Sequence, residues 1–97
     1  MLVHIVAFQF KEVNKKANII QAKQMLENLM GAVPTLRSMD VGLNFSTEER
    51  AMDMSIITTF ESKEGLDAYA VHPEHLKVVD FIKTVVSESK VVDYIQQ

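Results

Sequence analysis

From Leu2 to Phe10 the side chains divide into two sets, Leu2, His4, Val6, Phe8 and Phe10 on one face and Val3, Ile5, Ala7 and Gln9 on the other, which predicts a β-strand. Both faces are largely apolar, so the sheet is expected to be covered twice. Lys11 to Lys16 is polar and reads as a turn around Asn14. Ile19, Ala22, Leu26, Leu29, Met30 and Val33 then recur at helical spacing, while Lys23, Glu27 and Asn28 fall elsewhere on the wheel. The pattern predicts an amphipathic helix ending near Gly31, with Pro34 beyond it as a stop.

Leu36 to Phe45 reads as a second, less regular strand, with Arg37 and Asp40 early and Gly42 inside it, where a bulge or a close backbone approach is the usual reason for glycine. Ser46 to Arg50 is a charged turn. Met52, Met54, Ile56, Thr58 and Phe60 alternate with Asp53, Ser55, Ile57 and Thr59 in a third strand that can pair with the second as a hairpin. Ser62 is a candidate N-cap, with Glu64 in the first turn, for a short helix reaching Tyr69. Pro73 has no amide hydrogen and disfavours helical geometry at His72, so that helix should stop there and another start, running to about Val86. Lys90 to Gln96 predicts a fourth strand, with Val91, Asp93 and Ile95 on one side and Val92 and Tyr94 on the other.

Strand, helix, strand, strand, helix, strand is the split βαβ order, so the expected fold is α+β: a ferredoxin-like βαββαβ protomer with a four-stranded antiparallel sheet and its helices on one face. A chain of 97 residues, 47% apolar, is expected to make one domain spanning residues 1–97. The second sheet face, with Val3, Ile5, Ala7 and Ile57, would expose more apolar surface than a soluble monomer normally tolerates. A second copy packed over it would make a homodimer, a closed dimeric α/β barrel.

Composition works mainly by exclusion. Without cysteine there are no disulfides, thiolate nucleophiles or Cys-rich metal sites. A net charge of −3 and no Lys/Arg cluster argue against a nucleic-acid partner. No apolar run is long enough for a membrane span, and the opening Met-Leu-Val-His reads as strand, not as a signal peptide, so a cytoplasmic location is expected by default. P-loop, dinucleotide-binding and nucleophilic Ser patterns are absent. The six methionines read as flexible core filling.

Candidate chemistry concentrates in Ala68-Tyr69-Ala70-Val71-His72-Pro73-Glu74-His75-Leu76. From His75, steps of four, seven and eleven reach Val79, Ile82 and Val86, a buried helical stripe, so His75 should point inward and could meet the Tyr69 phenol. A neutral imidazole can take a proton next to a carbonyl, and a phenol can polarise that carbonyl. Each also has a purely structural reading, a satisfied histidine at a helix start and a core tyrosine with its hydroxyl at the rim. His72 sits at the junction as a cap, a surface group or a contact to ligand. His4 interrupts an apolar strand face and needs a hydrogen-bond partner there, whether as pocket lining or as a structural bond. Asp93, among apolar neighbours, also demands a partner. His72, Glu74 and His75 invite a metal reading, but Pro73 distorts the turn and no further ligand is near in sequence; neither a metal nor a cofactor is expected.

Read together, the strand Leu2 to Lys11, Gly42 with Asn44, Thr59-Phe60-Glu61-Ser62, the Tyr-x-x-His-Pro-x-His run from Tyr69 to His75, and Val92-Asp93-Tyr94 resemble the stress-responsive dimeric α/β-barrel family, Dabb. The resemblance covers nearly the whole chain. It implies a homodimeric barrel that binds or transforms a small carbonyl-bearing or aromatic molecule. It also implies roles taken from a plant polyketide cyclase of the family: His75 as general base, Tyr69 steadying the carbonyl, Asp93 orienting His75, and His4 lining the pocket. That pairing would raise the His75 pKa and lower that of Asp93. A non-catalytic stress-linked dimer is the alternative, and a haem-type or cofactor-free monooxygenase is a further one by fold analogy.

Overall fold

The computed structural model describes residues 1–97. Its elements, in chain order, are β1 (Leu2–Phe10), α1 (Lys15–Glu27), β2 (Ser38–Leu43), β3 (Met54–Phe60), α2 (Lys63–Val71), α3 (Pro73–Val85) and β4 (Val86–Ile95). The strands form one antiparallel sheet in the order β2-β3-β1-β4, the ferredoxin-like arrangement. The two most apolar strands, β1 and β3, therefore sit in the middle. Leu2, Phe10, Met54, Ile56 and Phe60 send their side chains into a core shared with Ala22 and Leu26 of α1, Tyr69 of α2, and Val78 and Ile82 of α3. Phe10 and Phe60 are almost completely enclosed.

Several boundaries differ from the sequence expectation, including the start of β3 at Met54 in place of Met52, and hydrogen bonds account for the clearest of them. Helix α1 stops at Glu27, and the following turns, closed by Leu29 N–H to the Leu26 carbonyl (2.9 Å) and Met30 N–H to Glu27 (3.2 Å), still deliver Leu29 and Val33 to the core. Apolar spacing alone does not separate these tight turns from a continued helix. Gly31 there adopts φ 85°, which a residue with a Cβ reaches only under strain. Strand β2 is shorter at both ends than Leu36 to Phe45; at its C-terminal end the Asn44 side chain bonds the Ser46 N–H and carbonyl, both at 2.9 Å, and bends the chain away from the ladder. A Cβ at Gly42 would lie 3.2 Å from Ser55 Oγ, so close approach explains that glycine.

Strand β4 begins at Val86, four residues before the expected Lys90, directly after α3. The polar Ser87-Glu88-Ser89, left between the expected helix and strand, pairs along β1, with a register shift at Gln9/Phe10 absorbing the entry angle and Ser87 Oγ donating to the Gln9 carbonyl (3.1 Å). The helices leave β4 exposed along most of its length. On the sheet face away from the helices, Ile5 has Ile57 and Val92 as its cross-strand partners; Ile57 is 37% and Val92 59% exposed. No helix is long and apolar enough to cross a membrane.

Candidate functional site

The α2–α3 junction sets the site. Ser62 caps α2, accepting from Gly65 N–H (3.4 Å), and the helix ends at Val71 because His72 is extended (ψ 135°) ahead of Pro73. His72 Nδ1 accepts the Glu74 N–H (3.1 Å), making this imidazole the N-cap of α3. Capping occupies His72, and it lies outside the lining of the cavity described below, so its expected place in a binding site is not where the structure puts it. Pro73 takes the first position of α3, where its missing N–H costs nothing.

One turn on, His75 folds back over α2, and its Nδ1 donates to the Ala70 carbonyl (3.1 Å). A carbonyl only accepts, so Nδ1 carries the hydrogen and Nε2 holds a free lone pair. The His75 ring lies 4.2 Å from the Tyr69 ring, tilted by 38°, and Phe60 meets the same phenol ring at 5.1 Å. Tyr69 is buried, its hydroxyl has no protein hydrogen-bond partner, and burial pushes its pKa up to about 12. The phenol therefore stays a donor across the physiological range.

Burial holds the His75 pKa below its usual value, partly opposed by the Ala70 hydrogen bond and reinforced by the nearby His4 and His72. The expected rise does not occur, because the expected partner is elsewhere. Asp93 Oδ1 bonds His4 Nδ1. The ladder dictates this choice: His4 and Asp93 are direct cross-strand partners on the same face of β1 and β4, whereas His75 hangs from the helix layer above. His4 thus finds the partner its apolar strand face requires, and Asp93 does not orient His75.

Between the helices and the sheet lies a cavity of about 350 Å³, lined on its polar side by His4, Tyr69, His75 and Thr58, and otherwise mainly by aliphatic groups such as Val6, Val79 and Ile82. His4, Tyr69 and His75 are brought together here; Asp93 supports the group from β4. Three further lining residues escaped the sequence reading. Thr58, wholly buried, donates Oγ1 to the His4 carbonyl (3.2 Å), and its inward position in the β3 alternation was the available signal. Lys83 stands eight residues beyond His75, on the same helical stripe, and Ser89 lies in the part of β4 that precedes the expected start at Lys90. No three His, Asp or Glu side chains converge to form a metal-binding set.

A pH effect on stability follows from the depressed His75 value. Between its folded pKa and the unfolded value near 6.5, the unfolded chain binds a proton that the native chain does not, so stability falls as pH drops through 6.5. Urea midpoints measured from pH 7.5 to 5 are expected to decline more steeply for the native sequence than for His75→Gln. Parallel lines would remove the histidine from the explanation.

The profile of the Stress responsive A/B Barrel Domain family, Dabb, matches residues 2–96. A stress-response A/B barrel domain-containing protein of Arabidopsis thaliana is 27% identical over 94% of this chain and 82% of its own. Among solved structures, a dimeric ferredoxin-like protein of unknown function from Jannaschia superposes with TM-score 0.83 at 27% identity, covering 98% of both chains. A hydroxynitrile lyase from Passiflora edulis does so with TM-score 0.88 at 21% identity, over 99% of this chain and 93% of that one. With its cavity and His-Tyr cluster on this fold and a family match from end to end, the chain belongs to the stress-responsive A/B barrel (Dabb) family.

Proposed function

We propose that the chain binds a small carbonyl-bearing molecule with an apolar or aromatic body in the cavity between helices and sheet, and moves a proton at the carbon beside that carbonyl. The observation that carries this is the free Nε2 lone pair of a neutral, half-buried His75, set against a protonated Tyr69 on one wall of that cavity. A base with depressed basicity stays unprotonated at neutral pH and is ready to accept. In the step, His75 Nε2 takes the α-proton, the C–H electron pair moves toward the carbonyl, and the developing enolate oxygen accepts a hydrogen bond from the Tyr69 hydroxyl. The aliphatic walls lower the local dielectric around that bond and so strengthen it. The Passiflora relative is a lyase on the same fold, which supports a scaffold able to host such chemistry.

The working unit in this reading is a homodimer, each copy covering the other's Ile5, Ile57 and Val92. Dimeric relatives such as the Jannaschia protein support it. The direct test is loss of α-proton signal from aryl alkyl ketones in D₂O, followed by NMR with and without protein. Acceleration that saturates with ketone concentration is expected. Binding shifts without exchange would leave a ligand-binding protein, and neither would refute the reading.

Tyr69→Phe separates the phenol's chemistry from its packing. Because the hydroxyl bonds no protein group, stability is expected to change by less than about 1 kcal/mol. Exchange should nevertheless slow by roughly 10²-fold, the usual effect of removing one oxyanion donor. Equal rates for the two proteins would exclude Tyr69 from the reaction.

A further inference from the structure

We propose, resting on the His75 reading above, that the cavity carries a second proton-transfer group, His4 held by Asp93, placed on the opposite face of a bound molecule from His75, so that the site inverts carbon centres beside a carbonyl. The layers of the fold supply the geometry. His75 descends from α3, above the cavity, while His4 rises from β1, below it, and both line the same space. A flat carbonyl compound lying between helix layer and sheet layer presents one face to each imidazole.

The two rings are held by the same device with different partners. Asp93 Oδ1 occupies His4 Nδ1, just as the Ala70 carbonyl occupies His75 Nδ1, so each ring has Nε2 left to meet a ligand. The partners differ in charge. A neutral carbonyl leaves His75 best suited to accept a proton, whereas the Asp93 carboxylate compensates the charge of His4 when its ring carries a second proton. Thr58 Oγ1, donating to the His4 carbonyl, ties the same residue to β3, so the floor of the cavity is fixed on both sides of β1. Ordinary cross-strand packing would not require a carboxylate and an imidazole at this one pair; the flanking pairs, Leu2 with Ile95 and Val6 with Val91, are aliphatic.

The step balances without a further reactant. His75 Nε2 removes the α-proton from one face, and the C–H pair becomes the enolate. His4 Nε2–H then delivers a proton to the α-carbon from the other face, the enolate pair forming the new C–H bond. His75 leaves protonated and His4 neutral, and exchange with solvent restores both. The substrate class implied is a small aryl or alkyl carbonyl compound with a stereogenic α-carbon. His4 is here a catalytic residue and Asp93 a positioning residue.

The separated enantiomers of 2-methyl-1-indanone in D₂O provide the test, read by chiral chromatography coupled to mass spectrometry. The enantiomer whose α-hydrogen faces His75 is expected to give its α-deuterated antipode with the native protein. His4→Gln, which retains a hydrogen-bonding side chain, should lose inversion by at least about 10²-fold, the scale of a missing acid–base group. It should leave deuterium uptake with retention on the enantiomer that His75 serves. Asp93→Asn, which keeps an acceptor for Nδ1–H but removes the charge, should slow inversion more than uptake. Uptake with retention alone in the native protein, or inversion unchanged in folded His4→Gln, would overturn the role of His4 and leave that of His75 standing. No uptake by the native protein from either enantiomer, with uptake also absent for the aryl alkyl ketones above, would remove both.

Discussion

His75→Ala is expected to slow α-proton exchange by roughly 10²- to 10⁴-fold while leaving the fold intact. The loss follows from position as much as chemistry. No other side chain in the helix layer places an imidazole nitrogen in the cavity, since His72 is spent on capping α3. Stability should hold, because His75 is half-exposed and its one hydrogen bond goes to a carbonyl at the end of α2 that water can serve. NMR-monitored exchange beside a circular dichroism melt checks both halves. An active, folded His75→Ala protein would show that the base lies elsewhere.

Ile5→Lys is expected to convert a dimer into folded monomers. Ile5 sits in β1 between Ile57 of β3 and Val92 of β4, the middle of the apolar row on the sheet face that no helix covers. In a lone protomer a lysine there reaches water, so the core on the other face is undisturbed. Against a second copy the ammonium loses that water with only aliphatic neighbours to meet it, at a cost of several kcal/mol; about 4 kcal/mol corresponds to roughly 10³-fold weaker association. Sedimentation velocity at micromolar concentration reads the outcome. A native protein that sediments as a monomer, or a variant that remains dimeric, would show that this face is not the interface.

The layered fold was legible because period-two and period-3.6 patterns survive in the segments that bury most surface: β1, β3, the inner stripe of α1 and the Pro73 junction each follow from residues that have few alternatives. Boundaries were less legible where polar side chains decide them, as Asn44 does at the end of β2, or where a polar segment pairs because its neighbour offers an open ladder, as Ser87 to Ser89 do beside β1. The His75–Tyr69 contact could be read from the chain because both residues lie within one helix–proline–helix turn. The partner of Asp93 could not. That choice depends on which strand neighbours β4 and in what register, a long-range fact that placed His4 opposite the carboxylate and left His75 bonded to a backbone carbonyl.

The state of the His75 ring is open to direct observation by two-bond ¹H–¹⁵N correlation NMR, titrated from pH 8 to 5. A neutral ring with hydrogen on Nδ1 at pH 7, a pKa below 6.5, and an Nε2 shift on adding an aryl ketone are expected. A ring that carries its hydrogen on Nε2 at neutral pH, or is already protonated there, would contradict a base facing the cavity.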